Sequence, residues 1–280
     1  MFLNTKDTKF TKENLKGVVW IWNLTSLCVL CDLCVKGFDL RNLRIAFGLM
    51  TTLPFRLPDD WSVGDSGRAA VWYPLVGLII GTLTWLVWKG AILVFSPLIA
   101  GVITLAVWVL LTGGLHLDGL ADCCDGLFAS VFPVRRLEIM KDPHVGAFGV
   151  IGLILILFLK AAALASLTSI SSFGILLAAS LARWCILPAG LLPLARPSGM
   201  GSDFAAGFQR SFILWGALIP LALAILLGRR GILSCVAGLG ATLFVLWLAK
   251  SRIGGVTGDV FGMVVEIVET VVLLASVIGV

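Results

Sequence analysis

The sequence predicts an all-α fold, namely a polytopic integral membrane helical bundle of about seven transmembrane helices plus an N-terminal interfacial or re-entrant helix. Hydrophobic residues make up 59% of the 280-residue chain and charged residues only 13%, which is too apolar for a soluble domain. Seven apolar segments each approach the ~20 residues that cross a bilayer. Most charged residues lie between these segments, as the connections of a membrane bundle require.

The elements follow one another in a simple order. Residues 1–37 are predicted to be an N-terminal extension, polar and Lys-rich at its start, with an apolar stretch of marginal spanning length at 18–35. Residues 38–280 form a single membrane-embedded domain. Residues 40–54 predict an amphipathic interfacial helix stopped by Pro54. The seven predicted spans are residues 73–95, 98–115, 145–167, 173–194, 211–227, 231–248 and 260–280.

Charge sets the expected orientation. Because the spans alternate across the bilayer, the connections around 41–72, 116–144, 195–210 and 249–258 share one side. That side carries most of the basic residues, whereas the other carries only Lys89, Arg229 and Arg230. The positive-inside rule therefore places the basic side, with every polar motif, in the cytoplasm. The small net charge of +5 and the lack of a basic run predict no nucleic-acid partner.

Cysteine usage excludes one class of protein. The chain has seven cysteines, an odd number that argues against a disulfide scaffold. Cys28, Cys31 and Cys34 lie in an apolar stretch without a nearby fourth ligand, so they are better explained as small buried residues than as a metal site.

An acidic stretch organises the functional prediction. Residues 112–125 read Thr-Gly-Gly-Leu-His-Leu-Asp-Gly-Leu-Ala-Asp-Cys-Cys-Asp. Asp118, Asp122 and Asp125 are spaced i, i+4 and i+7; if the stretch is helical, this spacing puts the three carboxylates on one face. Like charges so close require a cation, and oxygen ligands suit Mg²⁺, the predicted cofactor. Such a site suggests chemistry on phosphates, whereas the simpler alternative is a solvated acidic helix end.

Basic residues near the acidic stretch are candidates for holding substrate phosphates. Arg135 and Lys141 supply positive charge, and Asp142 and His144 follow. Ordinary positive-inside charge is the alternative for Arg135 and its neighbour Arg136. Gly146 and Gly149, just beyond, predict a close backbone approach.

Two further groups complete the candidate set. Arg183 lies deep within the fourth span, where its charge must be paired or face a polar cavity. Arg196 opens a Gly-rich turn, for which a phosphate loop and a plain turn are both compatible. The sequence Gly254-Gly-Val-Thr-Gly-Asp259 opens the last span, and Glu266 lies about 10 Å further along the same helix face. We expect this segment to supply a second half-site for metal or substrate.

Three motifs together carry a family resemblance. Residues 113–126, residues 138–142 with Gly146, and residues 254–259 with Glu266 resemble the cobalamin synthase family (adenosylcobinamide-GDP ribazoletransferase), in order and from about residue 40 to the C-terminus. The sequence departs from the pattern in two places. Thr52 stands where the family usually has Arg, and Pro143-His144 replaces Ser-Arg, where His144 can still donate a hydrogen bond.

The resemblance implies a Mg²⁺-dependent transferase of the bacterial or archaeal cytoplasmic (inner) membrane, with its active site towards the cytoplasm. It would join adenosylcobinamide-GDP to α-ribazole or its 5′-phosphate and release GMP. The lipid bilayer is its expected partner, and a homo-oligomer is compatible with the sequence. The implied catalytic residues are His116, Asp118 and Asp122; the metal ligands Asp118, Asp122, Asp125, Asp259 and Glu266; the substrate-binding residues Arg135, Lys141, Asp142, His144, Arg183, Arg196, Gly255 and Thr257.

Two other functions share some of these features. A CDP-alcohol phosphotransferase also pairs an aspartate-rich helix with membrane-embedded nucleotide chemistry, but its pattern has Arg after the Ala, whereas here Asp122 follows Ala121. A cation transporter would use intramembrane acids as a pathway. Here, however, the acids cluster towards one face of the membrane instead of crossing it.

Overall fold

A computed structural model describes residues 39–278 of the chain, and these residues form a helical bundle. The predicted all-α fold is confirmed, and within the described residues the extended structure amounts to one isolated bridge between Leu194 and Val256. The predicted extension 1–37, with its apolar stretch and cysteine run, lies outside the described part. The α-helices are α1 Leu40–Met50, α2 Asp65–Ala69, α3 Tyr73–Val94, α4 Pro97–Thr112, α5 Leu115–Phe128, α6 Pro133–Ile139, α7 Ala147–Ala165, α8 Gly174–Trp184, α9 Ile186–Ala189, α10 Met200–Gly207, α11 Ser211–Leu226, α12 Gly228–Ile253 and α13 Gly258–Val277.

The bundle has enough long apolar helices for a multi-pass membrane protein. Within the described residues, five helical segments are long and apolar enough to cross a bilayer. Two further pairs pass the same test only together and are sharply bent, α4–α5 by 92° and α10–α11 by 101°. Counting each bent pair as one span gives up to seven, in agreement with the predicted number.

Several predicted boundaries are corrected. Helix α1 ends at Met50, four residues before Pro54, because the Thr52 N–H donates to the Leu111 carbonyl of α4 at 2.8 Å and so leaves the helical hydrogen-bond ladder. The second span ends at Thr112 instead of continuing to residue 115. The fourth ends at Ala189, and the sixth is longer than predicted, Gly228–Ile253. The segment 116–144, predicted to be a polar connection, contains the helices α5 and α6.

Helix α13 forms the centre of the bundle. It packs against α12, α5, α8 and α7, and 13 of its 20 residues are buried. The α5 contact is a direct backbone approach at two glycines. A Cβ at Gly119 would lie 2.8 Å from the Asp259 carbonyl oxygen, and one at Gly262 would lie 3.0 Å from the His116 carbonyl oxygen. Only glycine fits such spacing, so the sequence brings the acidic helix directly onto the start of α13.

A carboxylate fixes the segment before α3. Asp203 of α10 accepts hydrogen bonds from the backbone N–H groups of Gly64 and Ser66 at 2.7 and 3.2 Å. These groups open α2 and have no intrahelical partner, so Asp203 caps that helix from another part of the chain. Buried Asp65 pairs with Arg41 of α1 at 2.9 Å. The polar segment 55–68 is therefore tied to α1 and α10 at its end.

Candidate active site

The acidic stretch forms a helix of its own. Gly113 and Gly114 adopt φ values of 65° and 70°, the left-handed region, and the chain turns there by 92° before α5 begins. The stretch is helical in the structure, as α5 Leu115–Phe128, so the i, i+4 and i+7 spacing puts Asp118, Asp122 and Asp125 along one face of that helix. Asp118 is exposed and the other two are half-buried.

Asp259 joins this face from α13. The Gly119 contact places its backbone against α5, and Asp259 and Asp118 are the acidic groups whose charges act most strongly on the Asp122 carboxyl. Three carboxylates from two helices therefore repel one another at the same end of the bundle.

The four aspartates have different partners. Asp118 and Asp122 accept no hydrogen bond from the described residues. Asp259 is bound by Arg196 and by the Thr257 hydroxyl, each at 3.2 Å. Across residues 39–278, no three His, Cys, Asp or Glu side chains converge into a ready-made metal-binding group. The predicted five-residue metal set is therefore not assembled as one cluster in this structure.

Asp125 caps the N-terminus of a neighbouring helix. Its carboxylate oxygens accept the backbone N–H groups of Gly146 at 2.8 Å and Gly149 at 2.9 Å, the first turn of α7. Both are groups that a helix leaves unsatisfied, so Asp125 caps α7 from α5. A Cβ at either glycine would come within 2.4 Å of the carboxylate. The close backbone approach predicted at Gly146 and Gly149 is thus present, and Asp125 is its cause.

Glu266 does not face the aspartates. Its carboxylate lies 2.5 Å from Lys160 of α7, in the interior of the bundle. Glu269, one turn further on, pairs with both Lys160 and Arg183. In this structure a buried lysine therefore compensates the charge of Glu266, and the carboxylate does not join Asp259; its part in a metal site stays a prediction.

Arg183 is likewise enclosed. Its side chain is 0% exposed and is bound to Glu269 and, at 3.1 Å, to the Ala179 carbonyl. The charge is paired, as predicted, but the guanidinium is fully buried and does not reach the surface of the site. Lys160, the residue that links Glu266 and Glu269, was missed. Its signal in the sequence is a lone lysine within the otherwise apolar α7.

His116 lies apart from the acidic face. It precedes Asp118 by two residues, which on a helix is a rotation of about 200°. Its side chain is 4% exposed, and its Nε2 atom has no hydrogen-bond partner among the described residues. The charges that act on it are those of Arg183, Glu269 and Lys160. The structure therefore places His116 beside the buried ion pairs and away from Asp118 and Asp122.

Two loops meet where α10 and α13 begin. The Ala195 N–H donates to the Val256 carbonyl and the Val256 N–H donates to the Pro193 carbonyl, each at 2.9 Å. A Cβ at Gly255 would lie 2.2 Å from the same Pro193 oxygen, so the glycine loop is fixed against its neighbour. Between the helix ends lies a cavity of about 90 Å³, lined by residues that include Arg196, Thr257 and Asp259. Unpaired N–H groups at helix N-termini favour anions in such a place.

The basic residues of α6 divide into two roles. Arg135 is exposed and pairs with Glu138 at 2.7 Å on the surface. Arg136 is buried and donates to the carbonyls of Gly126 and Leu127, closing the C-terminal end of α5. Burial lowers the pKa of Arg136 from its ordinary value. This capping role was not predicted, because Arg136 resembled ordinary positive-inside charge.

Lys141, Asp142 and His144 lie on the exposed turn after α6. Asp142 accepts the His144 backbone N–H at 3.0 Å and contacts its ring at 2.7 Å, and these bonds lower the pKa of Asp142. Lys141 and Arg196 line an open cavity of about 300 Å³ beside the aspartate face. Arg196 also reaches the Leu137 carbonyl at 3.0 Å, so it connects this cavity to Asp259.

A methyl group at the helix contact should disrupt the site. We expect Gly119→Ala to force α5 away from Asp259, since its Cβ has no space, and to lower both turnover and thermal stability, the latter by about 1–3 kcal/mol. Gly240→Ala in α12 is the matched control, because nothing lies within 4 Å of its Cβ. Activity and melting temperature of both variants test this. Equal behaviour of the two would contradict the close contact.

Comparison with known proteins gives a consistent answer. The family model described as CobS, cobalamin-5-phosphate synthase, matches residues 42–277. The chain is 40% identical over 239 residues to an adenosylcobinamide-GDP ribazoletransferase of Stutzerimonas stutzeri, covering 83% of this chain and 96% of the relative. It is 37% identical over 240 residues to proteins of the same name from Brevibacillus brevis (83% and 95% covered) and Deinococcus radiodurans (84% and 85%). No solved structure matches.

The fold is that of a multi-pass membrane protein. At one end of its bundle, the aspartate face lies beside the Arg196–Asp259 pair and beside the N-termini of α10 and α13, which favour anions. The chain belongs to the cobalamin-5-phosphate synthase family. The predicted resemblance is thereby confirmed, and neither the CDP-alcohol phosphotransferase nor the cation transporter gains support.

Proposed function

We propose that this protein joins adenosylcobinamide-GDP to α-ribazole or its 5′-phosphate, releasing GMP and forming adenosylcobalamin or its 5′-phosphate. Its family membership and the names of its relatives support this reaction. The single structural observation that carries the proposal is the meeting of the α5 aspartates with Asp259 and Arg196, since phosphate transfer needs both kinds of charge in one place.

Substrate phosphates would bind on the basic side of this site. Arg196 stands between the two cavities, and the N-termini of α10 and α13 border the smaller one. A pyrophosphate there would receive hydrogen bonds from the guanidinium and from backbone N–H groups of the two helix starts. Lys141 lines the larger cavity, where it would hold the nucleotide end of the substrate. Thr257 and Gly255 act by fixing the loop that leads into α13 and Asp259.

A carboxylate is the group best placed to accept the proton of the attacking ribose hydroxyl. Asp118 and Asp122 have no other partner among the described residues, so their oxygens remain available. His116 faces the bundle interior, and we therefore assign it no direct part in proton transfer.

Mg²⁺ fits the same carboxylates. Mg²⁺ usually binds through one or two carboxylates together with substrate phosphates, so it does not require a preformed three-ligand group. Asp118, Asp122 and Asp259 would hold it, whereas Asp125 and Glu266 are engaged by α7 and Lys160. When bound, the ion would neutralise the pyrophosphate and stabilise the departing GMP.

The expected location is the cytoplasmic (inner) membrane, with the active site towards the cytoplasm. Contacts join three of the polar connections: Gly119 of 116–144 lies against Asp259, which directly follows 249–258, and Arg196 of 195–210 reaches Leu137 of 116–144. These segments therefore share one side of the bundle. Their excess of positive charge supports the cytoplasmic orientation.

A direct assay tests the reaction. Purified protein in liposomes, given adenosylcobinamide-GDP, α-ribazole 5′-phosphate and Mg²⁺, should release GMP in a one-to-one ratio with the corrinoid product. A CDP-alcohol substrate in the same preparation should release no CMP. Folded protein that yields no GMP from adenosylcobinamide-GDP would refute the proposed function.

A further inference from the structure

Three helices around the aspartate face form a closed triangle. Helix α5 is tied to α7 where Asp125 caps Gly146 and Gly149. Helix α13 touches α5 directly where Gly119 meets Asp259. The third side, between α7 and α13, is closed deeper in the bundle by the ion pairs of Lys160.

The contact between α7 and α13 consists of buried charged side chains around Lys160. Its Nζ lies 2.5 Å from Glu266, pairs with Glu269, and stands 5.4 Å from the Trp108 ring centre. The side chains of Lys160 and Glu266 are 3% and 6% exposed. Arg183 binds Glu269 from α8, so the four charges sum to zero. Buried ion pairs add little net stability compared with apolar packing, but their geometry is specific.

From this arrangement we propose that Lys160 is a positioning residue, whose pairs with Glu266 and Glu269 set the rotation and height of α13 and so hold Asp259 against the α5 aspartates. Glu266 lies seven residues from Asp259 on α13, about 10 Å along the same face, so a turn or shift at one is transmitted to the other. The proposal rests on the proposed function in taking Asp118, Asp122 and Asp259 as the reacting carboxylates.

The test must separate position from stability. Lys160→Met alone would leave a buried carboxylate unpaired and destabilise the fold. The double variant Lys160→Met/Glu266→Leu removes the pair and stays neutral, since Arg183 still pairs with Glu269. We expect its melting temperature to stay close to that of the wild type, its KM to stay unchanged, and its kcat to fall on the order of 10²-fold.

A second readout is independent of activity. In a cysteine-free background, spin labels at residues 115 and 278 report the placement of α13 relative to α5, because both positions are exposed. The double variant should shift or broaden this distance distribution. Lys89→Met is the matched control, since this lysine contacts Trp85 and Trp88 of α3 and should change neither readout.

The outcomes are distinct. A double variant with wild-type kcat, or with a wild-type distance distribution, overturns the positioning role. A wild-type protein that releases no GMP refutes the proposed function instead, and the distance measurement still decides whether Lys160 sets the place of α13.

Discussion

Asparagine at Asp118 or at Asp259 is expected to reduce turnover on the order of 10²-fold or more while the fold survives. The substitution keeps the size of each side chain and removes its charge from a face where three carboxylates already repel one another. Losing one charge relieves that repulsion, and at Asp259 this relief offsets the loss of the Arg196 pair, so stability should change little. The dependence of turnover on Mg²⁺ should weaken as well, because each carboxylate is a proposed ligand.

Turnover measured against Mg²⁺ concentration, beside a thermal melt, tests both variants. Asp59→Asn is the matched control, since Asp59 is an exposed loop carboxylate outside the site. If both variants retain near-normal turnover and an unchanged Mg²⁺ profile, the shared metal site is wrong.

Arg183→Met should have the largest effect on stability. The arginine is fully buried, and its loss leaves the two glutamates of α13 facing only Lys160. Removing one member of a buried ion pair costs about 3–5 kcal/mol, a large part of the total stability of a typical domain.

The thermal unfolding of Arg183→Met in detergent measures this cost. Arg135→Met serves for comparison, because Arg135 lies on the surface and should leave the melting temperature unchanged. An Arg183→Met protein that melts with the wild type would show that the buried network is dispensable for stability.

The fold was largely readable from the sequence, because apolar length alone identifies bilayer-spanning segments. The bends were not. Gly113-Gly114 is compatible with a straight continuation, a turn or a loop, and the contact of α5 with α13 that selects the 92° bend is tertiary. For the same reason, the helices α5 and α6 could not be distinguished from a polar connection.

The positions of the acidic residues in the site could be predicted from the sequence, but the groups that bind them could not. Spacing correctly placed Asp118, Asp122 and Asp125 on one face, since that depends only on helix geometry. Sequence periodicity could not show that Asp125 caps α7 or that Glu266 turns to Lys160, because both partners belong to other helices. The shared helix face with Asp259 suggested that Glu266 binds metal, whereas Lys160 of α7 pairs with it in the structure.

The buried ion pairs also impose an order on biosynthesis. Glu266 and Glu269 follow Lys160 by 106 and 109 residues, and Glu269 follows Arg183 by 86. Both cations therefore leave the ribosome long before their counter-ions exist. Until α13 is synthesised, each cation within an apolar segment carries an insertion penalty of about 2.5–3.5 kcal/mol. Helix α13 is thus the element whose carboxylates compensate the charges of the earlier helices α7 and α8.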